Sequence, residues 1–163
     1  MTVAAPLPLH DSTVLLREAT AADIPGIVHL LADDELGSSR DGTSTDADLQ
    51  PYHLAFEALA ADPAHLLLVV VDDEQLVATM QLSFIPGLAR RGALRAQIEA
   101  VRVAGAYRGH GAGAAMFRWA IAESRRRGCA LVQLTTDKSR PDAHRFYERL
   151  GFVASHQGLK LPL

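Results

Sequence analysis

Between residues 93 and 135 the chain spells strand, glycine-rich turn, helix and strand in that order, and few folds accommodate such a run. Ala93 to Val103 reads as an extended segment. Regular alternation along it puts Gln97, Glu99, Val101 and Val103 on one face. Arg108-Gly109-His110-Gly111-Ala112-Gly113 then forms a turn. Ala114, Met116, Phe117, Ala120 and Ile121 recur at helical spacing up to Gly128, with Arg125, Arg126 and Arg127 forming a solvated last turn where cations suit the helix dipole. Cys129 to Thr135 is the next strand. A helix separating two strands in this way implies a right-handed crossover between parallel neighbours, which places the chain in the α/β (α+β) class.

The flanking segments supply the rest of a single sheet. Val14 to Leu16 is a short strand, followed by Thr20-Ala-Ala-Asp23 with capping-box spacing and a helix whose apolar face is Ile24, Ile27, Val28, Leu30 and Leu31, fading near Gly37. Residues 37–48 have loop composition. A second helix carries Leu49, Tyr52, Phe56 and Leu59 as far as Asp62-Pro63. Leu66 to Val71 and Gln75 to Ile85, joined across Asp72-Asp73-Glu74, form a hairpin that Pro86-Gly87 terminates. Ser139 to Asp142 repeats the capping-box spacing ahead of a helix with Ala143, Phe146, Tyr147 and Leu150 on one face and Gly151 as its stop. Two short strands, Phe152 to Ser155 and Leu159 to Leu163, are predicted at the end. Residues 1–12 are expected to be an N-terminal tail and residues 13–163 one domain, since 163 residues suffice for one core but not for two ordinary ones.

Glycines at 109, 111 and 113 let backbone N–H groups approach a ligand, and the start of the following helix presents unsatisfied donors with positive partial charge. A phosphate fits there, and Arg108 adds a cation suited to bidentate contact with it. The bland alternative is a tight turn beside a surface arginine. A P-loop is excluded, because Ala114-Ala115 follow where Lys-Ser/Thr is required. Gly109, Gly111 and Ala114 do satisfy the dinucleotide fingerprint, with Asp137 near the expected acidic position. Ala104 to Tyr107 then form too long a spacer, and too little chain follows to build a second nucleotide-binding half, so a dinucleotide-binding oxidoreductase is only a distant alternative.

Composition closes off other classes. A net charge of −3 gives no electrostatic footprint for a nucleic acid. No segment has the length and apolarity of a membrane span, and the N-terminal stretch lacks the basic and apolar regions of a signal peptide, so a cytoplasmic location is the expectation. Cys129 is the only cysteine, and it begins an apolar strand that favours burial over nucleophilic use. The seven histidines include no HExxH or comparable spacing, so no metal is predicted.

Ile98-Glu99-x-Val101-x-Val103, Arg108-Gly109-x-Gly111-x-Gly113 and Ala143-x-x-Phe146-Tyr147-Glu148-x-x-Gly151-Phe152, in this order, resemble the successive motifs of the GCN5-related N-acetyltransferase (GNAT) superfamily. The order of elements resembles that family's along nearly the whole domain. The resemblance implies a mixed, mostly antiparallel sheet flanked by helices and splayed at a cofactor site that takes acetyl-coenzyme A. It implies that the pyrophosphate sits on Arg108, Gly109, His110, Gly111, Ala112 and Gly113, and that the pantetheine pairs near Val101 and Val103. It further implies Glu99 as the base for an acceptor amine, often acting through water, and Tyr147 as the acid for the departing thiolate. The alternatives read from the residues are a strand-edge carboxylate paired with Arg95 or Arg102, and a core aromatic in line with Phe146. One departure is Arg140, which stands where many members have Asn.

A base is needed because an alkylamine of pKa about 10.4 is almost wholly protonated at pH 7, a handicap of roughly 4–5 kcal/mol. The oxyanion is expected to be held by a main-chain N–H near Val101. Asp33, Asp34, Glu35, Asp41, Asp46 and Asp48 concentrate negative charge around the 37–48 loop, which reads equally as a solvated polar loop or as a surface that would attract a cationic amine of a small molecule or peptide. The expected activity is therefore N-acetyl transfer to a primary amine by direct attack. A non-catalytic acyl-coenzyme A sensor is the alternative, and the resemblance leaves a homodimer open.

Overall fold

The computed structural model describes residues 3–33 and 46–163. Its frame is one six-stranded sheet in the order β1-β2-β3-β4-β5-β6, with β1 Ala4–Pro8, β2 Thr13–Glu18, β3 His65–Asp72, β4 Gln75–Ile85, β5 Arg95–Val103 and β6 Leu131–Leu134. Every neighbouring pair is antiparallel except β5 with β6, which are parallel as the crossover requires. The helices are α1 Ile24–Ala32, α2 Gln50–Ala61, α3 Ala112–Arg126 and α4 Pro141–Arg149, with a left-handed turn at Ala89–Gly92.

The apolar run of β3 is continuous because both of its faces are buried. Leu66, Leu68 and Val70 join Leu16, Met80 and Leu82 in the main core, closed over by Met116, Phe117 and Ala120 of α3. Val69 and Val71 point the other way and pack with Ile27 of α1. α3 is held at its far end by more than apolar contact. Glu123 accepts from Arg126 and Arg127, and Arg127 also donates to the Pro63 carbonyl at 3.0 Å and stacks 4.1 Å from the centroid of Phe84. Arg127 is thus a half-buried clamp, not the solvated residue expected of a helix end, because the helix terminates against the sheet and not over solvent.

Several boundaries differ from the sequence expectation. Ala4–Pro8, read as tail, is the edge strand β1, in register with β2 from Ala4↔Arg17 to Pro8↔Thr13. Its two prolines argue against a central strand, and an edge strand is where they are tolerated. Neither predicted C-terminal strand forms; residues 152–163 run without regular structure, with Leu159, Leu161 and Leu163 exposed. β6 covers only Leu131–Leu134 of the expected 129–135. The second capping box also fails. The Ser139 N–H and hydroxyl both donate to Asp137 (2.9 and 2.7 Å), and α4 begins at Pro141 with Arg140 as its N-cap. Most of the 37–48 loop, with Asp34, Glu35 and Asp41, lies outside the described residues.

The first capping box does form and is tied to the sheet. The N–H and hydroxyl of Thr20 donate to Asp23 Oδ2 (2.7 and 2.9 Å), and Arg17 of β2 grips both carboxylate oxygens at 2.7 and 2.8 Å. The Arg17 fork, foremost, holds the Asp23 carboxyl at about 2. A carboxyl depressed by folding adds stability above its unfolded value near 3.9, and that stability is lost as pH falls toward 2. Asp23→Asn is expected to lower unfolding free energy by about 1–2 kcal/mol at pH 7 and to flatten its decline between pH 4 and 2, read by urea denaturation at each pH.

Candidate active site

β5 and β6 pair only from Arg95↔Leu131 to Ile98↔Leu134. Beyond Ile98, β5 continues to Val103 with no strand on that side among the described residues, and a cavity of about 610 Å³ opens beside its far half. Val101, Arg102 and Val103 form one wall, the turn and first residues of α3 another, and Phe146, Tyr147 and Arg149 of α4 with Leu150 just past its end a third.

The turn is built as its glycines allow. Gly109 (φ 82°) and Gly111 (φ 93°) are both left-handed, a conformation costly for residues with a Cβ. Ala115 N–H already bonds the Gly111 carbonyl at 2.9 Å, whereas the preceding N–H groups of α3 have no acceptor within the helix and face the cavity end. Gly113 has ordinary backbone, and its importance is spatial. A Cβ there would stand 3.6 Å from Phe146 Cζ and 3.8 Å from Val103 Cγ2, inside the gap between β5 and α4. Arg108 lines the cavity but is tethered, donating through Nε to the Val103 carbonyl at 2.9 Å and pairing with Asp33 at 3.3 Å. Arg102, Arg118 and Arg149 complete a set of four arginines, and no carboxylate stands among the described lining residues. In a chain of net charge −3 this is a strongly localised anion-attracting surface. Of the turn residues named from the sequence, His110 alone is not among those lining the cavity; its carbonyl accepts from the His10 N–H at 3.3 Å.

Tyr147 lies in an aromatic cluster, with ring centroids 5.4 Å from both Phe117 and Phe146 and 6.1 Å from Phe152. Burial pushes its phenol above the usual value, while Arg140 and Arg102 pull less strongly the other way, so the hydroxyl keeps its proton at neutral pH. Arg140, the residue at the usual Asn position, thus acts electrostatically on Tyr147. Phe146, expected in the core, both packs there and lines the cavity. The Cys129 thiol is half-buried and pushed up by desolvation.

Glu99 is placed differently from the expectation. Gln81 pairs with Glu99 and Thr79 with Arg102, so Ala100 and Val101 together oppose Met80, and Ala100 takes φ 53°. This bulge resets the alternation. Ala96 and Ile98 before it, and Val101 and Val103 after it, all pack on the main core. Gln97 and Glu99 therefore lie on the opposite face from Val101 and Val103, not on a shared one. Glu99 is exposed there, the first residue past the last β5–β6 pair, beside Gln81 and near the Gln97–Gln133 hydrogen bond of 2.7 Å and the His65–Ser83 contact of 2.8 Å. The structure thus gathers Val101, Val103, the turn and Tyr147 into one cavity and sets Glu99 across the sheet at its edge. His10, Arg118 and Arg149 went unnoticed in the sequence. They come from three separated segments, and only helical spacing after the turn hinted at Arg118.

The model of the acetyltransferase (GNAT) family matches residues 27–152. This chain belongs to that family. Among curated proteins, the GNAT chain is 29% identical over 141 residues, 86% of each sequence, to an aminoalkylphosphonate N-acetyltransferase of Salmonella typhimurium (strain LT2). A solved structure described as a transcriptional regulator from Bacillus halodurans C-125 matches at 46% identity and TM-score 0.86, over 92% of this chain and 99% of that one. A protein from Agrobacterium tumefaciens str. C58 assigned as an acetyltransferase matches at 32% identity and TM-score 0.79, over 91% and 99%. The six-stranded sheet is thus the GNAT fold. No helix among the described residues is long and apolar enough to cross a membrane.

The left-handed Ala100 generates a prediction. Ala100→Val, which strand preference alone would favour, is expected to destabilise by about 1–2 kcal/mol, and Ala100→Gly to be close to neutral, both measured by chemical denaturation.

Proposed function

We propose that the protein transfers an acetyl group from acetyl-coenzyme A to a primary amine by direct attack. The observation that carries this reading is the four-arginine cavity at the glycine turn, which ends where β5 leaves β6 and Glu99 stands on the other face. The residues fit the cofactor: helix N-terminal N–H groups and cations for its phosphates, and at Val101–Val103 a strand edge without a neighbouring strand, its carbonyls held at 2.9 Å by the Arg102 and Arg108 side chains, for the amides of its pantetheine arm. When bound, acetyl-coenzyme A supplies a thioester carbon open to attack and a thiolate leaving group. The two reactants would then approach from opposite faces and meet at the opening.

Glu99 takes up the ammonium proton of the acceptor, directly or through water, offsetting the roughly 4–5 kcal/mol that protonation costs the nucleophile. A main-chain N–H near Val101, turned by the bulge, supports the developing oxyanion and is worth about 3 kcal/mol. As the new N–C bond forms and the C–S bond breaks, Tyr147 would give its hydroxyl proton to the departing sulfur and regain one from the second proton that the acceptor nitrogen sheds on becoming an amide. The polar floor of Gln81, Ser83, Gln97 and Gln133 around Glu99 suits a small polar amine or a peptide amine. The Salmonella relative's name makes aminoalkylphosphonates the first acceptors to try.

A second reading, an acyl-coenzyme A sensor without turnover, is favoured by the description of the B. halodurans neighbour as a transcriptional regulator. A thiol-release assay with acetyl-coenzyme A and a panel of aminoalkylphosphonates, other small amines and peptides separates the two. Amine-dependent release is expected; tight cofactor binding without release from any amine would favour the sensor. Tyr147→Phe and Glu99→Gln are each expected to lower kcat about 10-fold or more. Full turnover by both variants across pH would remove these assignments while leaving the family intact.

Gly113→Ala is expected to leave stability unchanged or slightly higher, since alanine is the better helix former and the space admits a methyl group. The same methyl group narrows the cavity, so affinity for acetyl-coenzyme A should fall about 10-fold, measured by calorimetric titration.

A further inference from the structure

The hairpin of β1 and β2 ends in a loop that reaches the turn at 108–113. Its stem is fixed by the pairs Leu7↔Val14 and Pro8↔Thr13, and its loop by the Leu9 N–H to the Ser12 carbonyl at 2.8 Å. From this loop the His10 N–H donates to the His110 carbonyl at 3.3 Å, joining the hairpin to the turn backbone to backbone. The ring is then delivered to the cavity. Its Cδ2 and Nε2 each lie 3.3 Å from where a Cβ on Gly111 would stand, and His10 lines the same wall as Gly109, Gly111 and Ala112. Gly111 is thus required for its left-handed backbone, and a Cβ there would also press on the His10 ring.

The cavity that His10 lines carries charged and titratable groups from several elements, and Asp33 pairs with its Arg108 at 3.3 Å. Asp11 follows His10 in the loop, Arg108 and His110 belong to the turn, Arg102 to β5, Arg118 to α3 and Arg149 to α4. Imidazoles exchange their proton in the range of roughly pH 5–8, and a phosphate alongside favours the charged form. We propose that His10 is a phosphate ligand of the cofactor site, taking up a proton as a phosphate group of coenzyme A seats on the turn. This rests on the reading of the turn as a coenzyme A site.

Calorimetric titration of the full chain with coenzyme A and with dephospho-coenzyme A, between pH 6 and 8 and in two buffers of different ionisation enthalpy, tests it. Dephospho-coenzyme A lacks the 3′-phosphate monoester, whose own ionisation falls in this range. The expected result is binding about 5–10-fold tighter at pH 6 than at pH 8, with net proton uptake near pH 6.5. In His10→Gln both should disappear, with affinity at pH 8 close to that of the unaltered protein. An effect with both ligands assigns the contact to the diphosphate; an effect with coenzyme A alone assigns it to the 3′-phosphate. The proposal is overturned if the unaltered protein shows no such pH dependence with either ligand, if His10→Gln retains it, or if His110→Gln removes it instead. Failure of both ligands to bind at any pH would overturn the reading of the turn and the proposal with it.

Discussion

Four residue pairs, Arg95↔Leu131 to Ile98↔Leu134, hold β5 to its parallel neighbour, and the site exists because there is no fifth. A parallel ladder that continued to Val103 would consume the strand edge at 101–103 and fill the space in which α3 and α4 leave a cavity. β6 is short, and the chain turns away through residues 135–140 into α4, so the backbone groups of β5 past Ile98 are left for something other than a strand. A cavity open to an extended, amide-rich ligand follows directly, since strand edges recognise such ligands by main-chain hydrogen bonds.

The bulge at Ala100 and Val101 acts on the same stretch. It lets one strand serve two faces, presenting Glu99 to the side of β4 that carries Gln81 and Ser83, and Val101 and Val103 to the side of α3. The cost is a left-handed alanine, about 1–2 kcal/mol, borne inside a strand whose neighbours Ala96 and Ile98 are buried. Backbone strain is also spent at the turn, but there glycine removes the penalty. The electrostatics are also divided, with Arg108, Arg118 and Arg149 around the turn end of the cavity and Glu99 with Gln81 and Gln97 on the other face, from which Arg102 also starts.

Much of this was legible in the chain itself. The order of the central strands and helices, the parallel crossover, the left-handed glycine turn at 108–113 and the GNAT resemblance all rest on local signals. Glycine marks a positive φ, apolar periodicity separates strand from helix, and proline excludes central strands. The signals that misled were also local ones. Ser139 to Asp142 has capping-box spacing, yet Asp137 is nearer to Ser139 and takes its donors. Leu159 to Leu163 alternates like a strand but finds no ladder among the described residues. Ala4–Pro8 looked like tail because its prolines hide the edge-strand pairing that Val14–Arg17 supplies.

What the sequence alone determined is therefore the order of the central elements and the backbone conformation of the turn, because both depend on residues within a few positions of one another. Only the tertiary structure decided which side chains meet there. No pattern announces a bulge at an alanine, since its cause is the register between β4 and β5; that register moved Glu99 off the face of Val101. His10 enters the cavity from a hairpin more than a hundred residues before the two helices that carry Arg118 and Arg149. Their convergence is a property of how the sheet is packed, not of any local run of the chain.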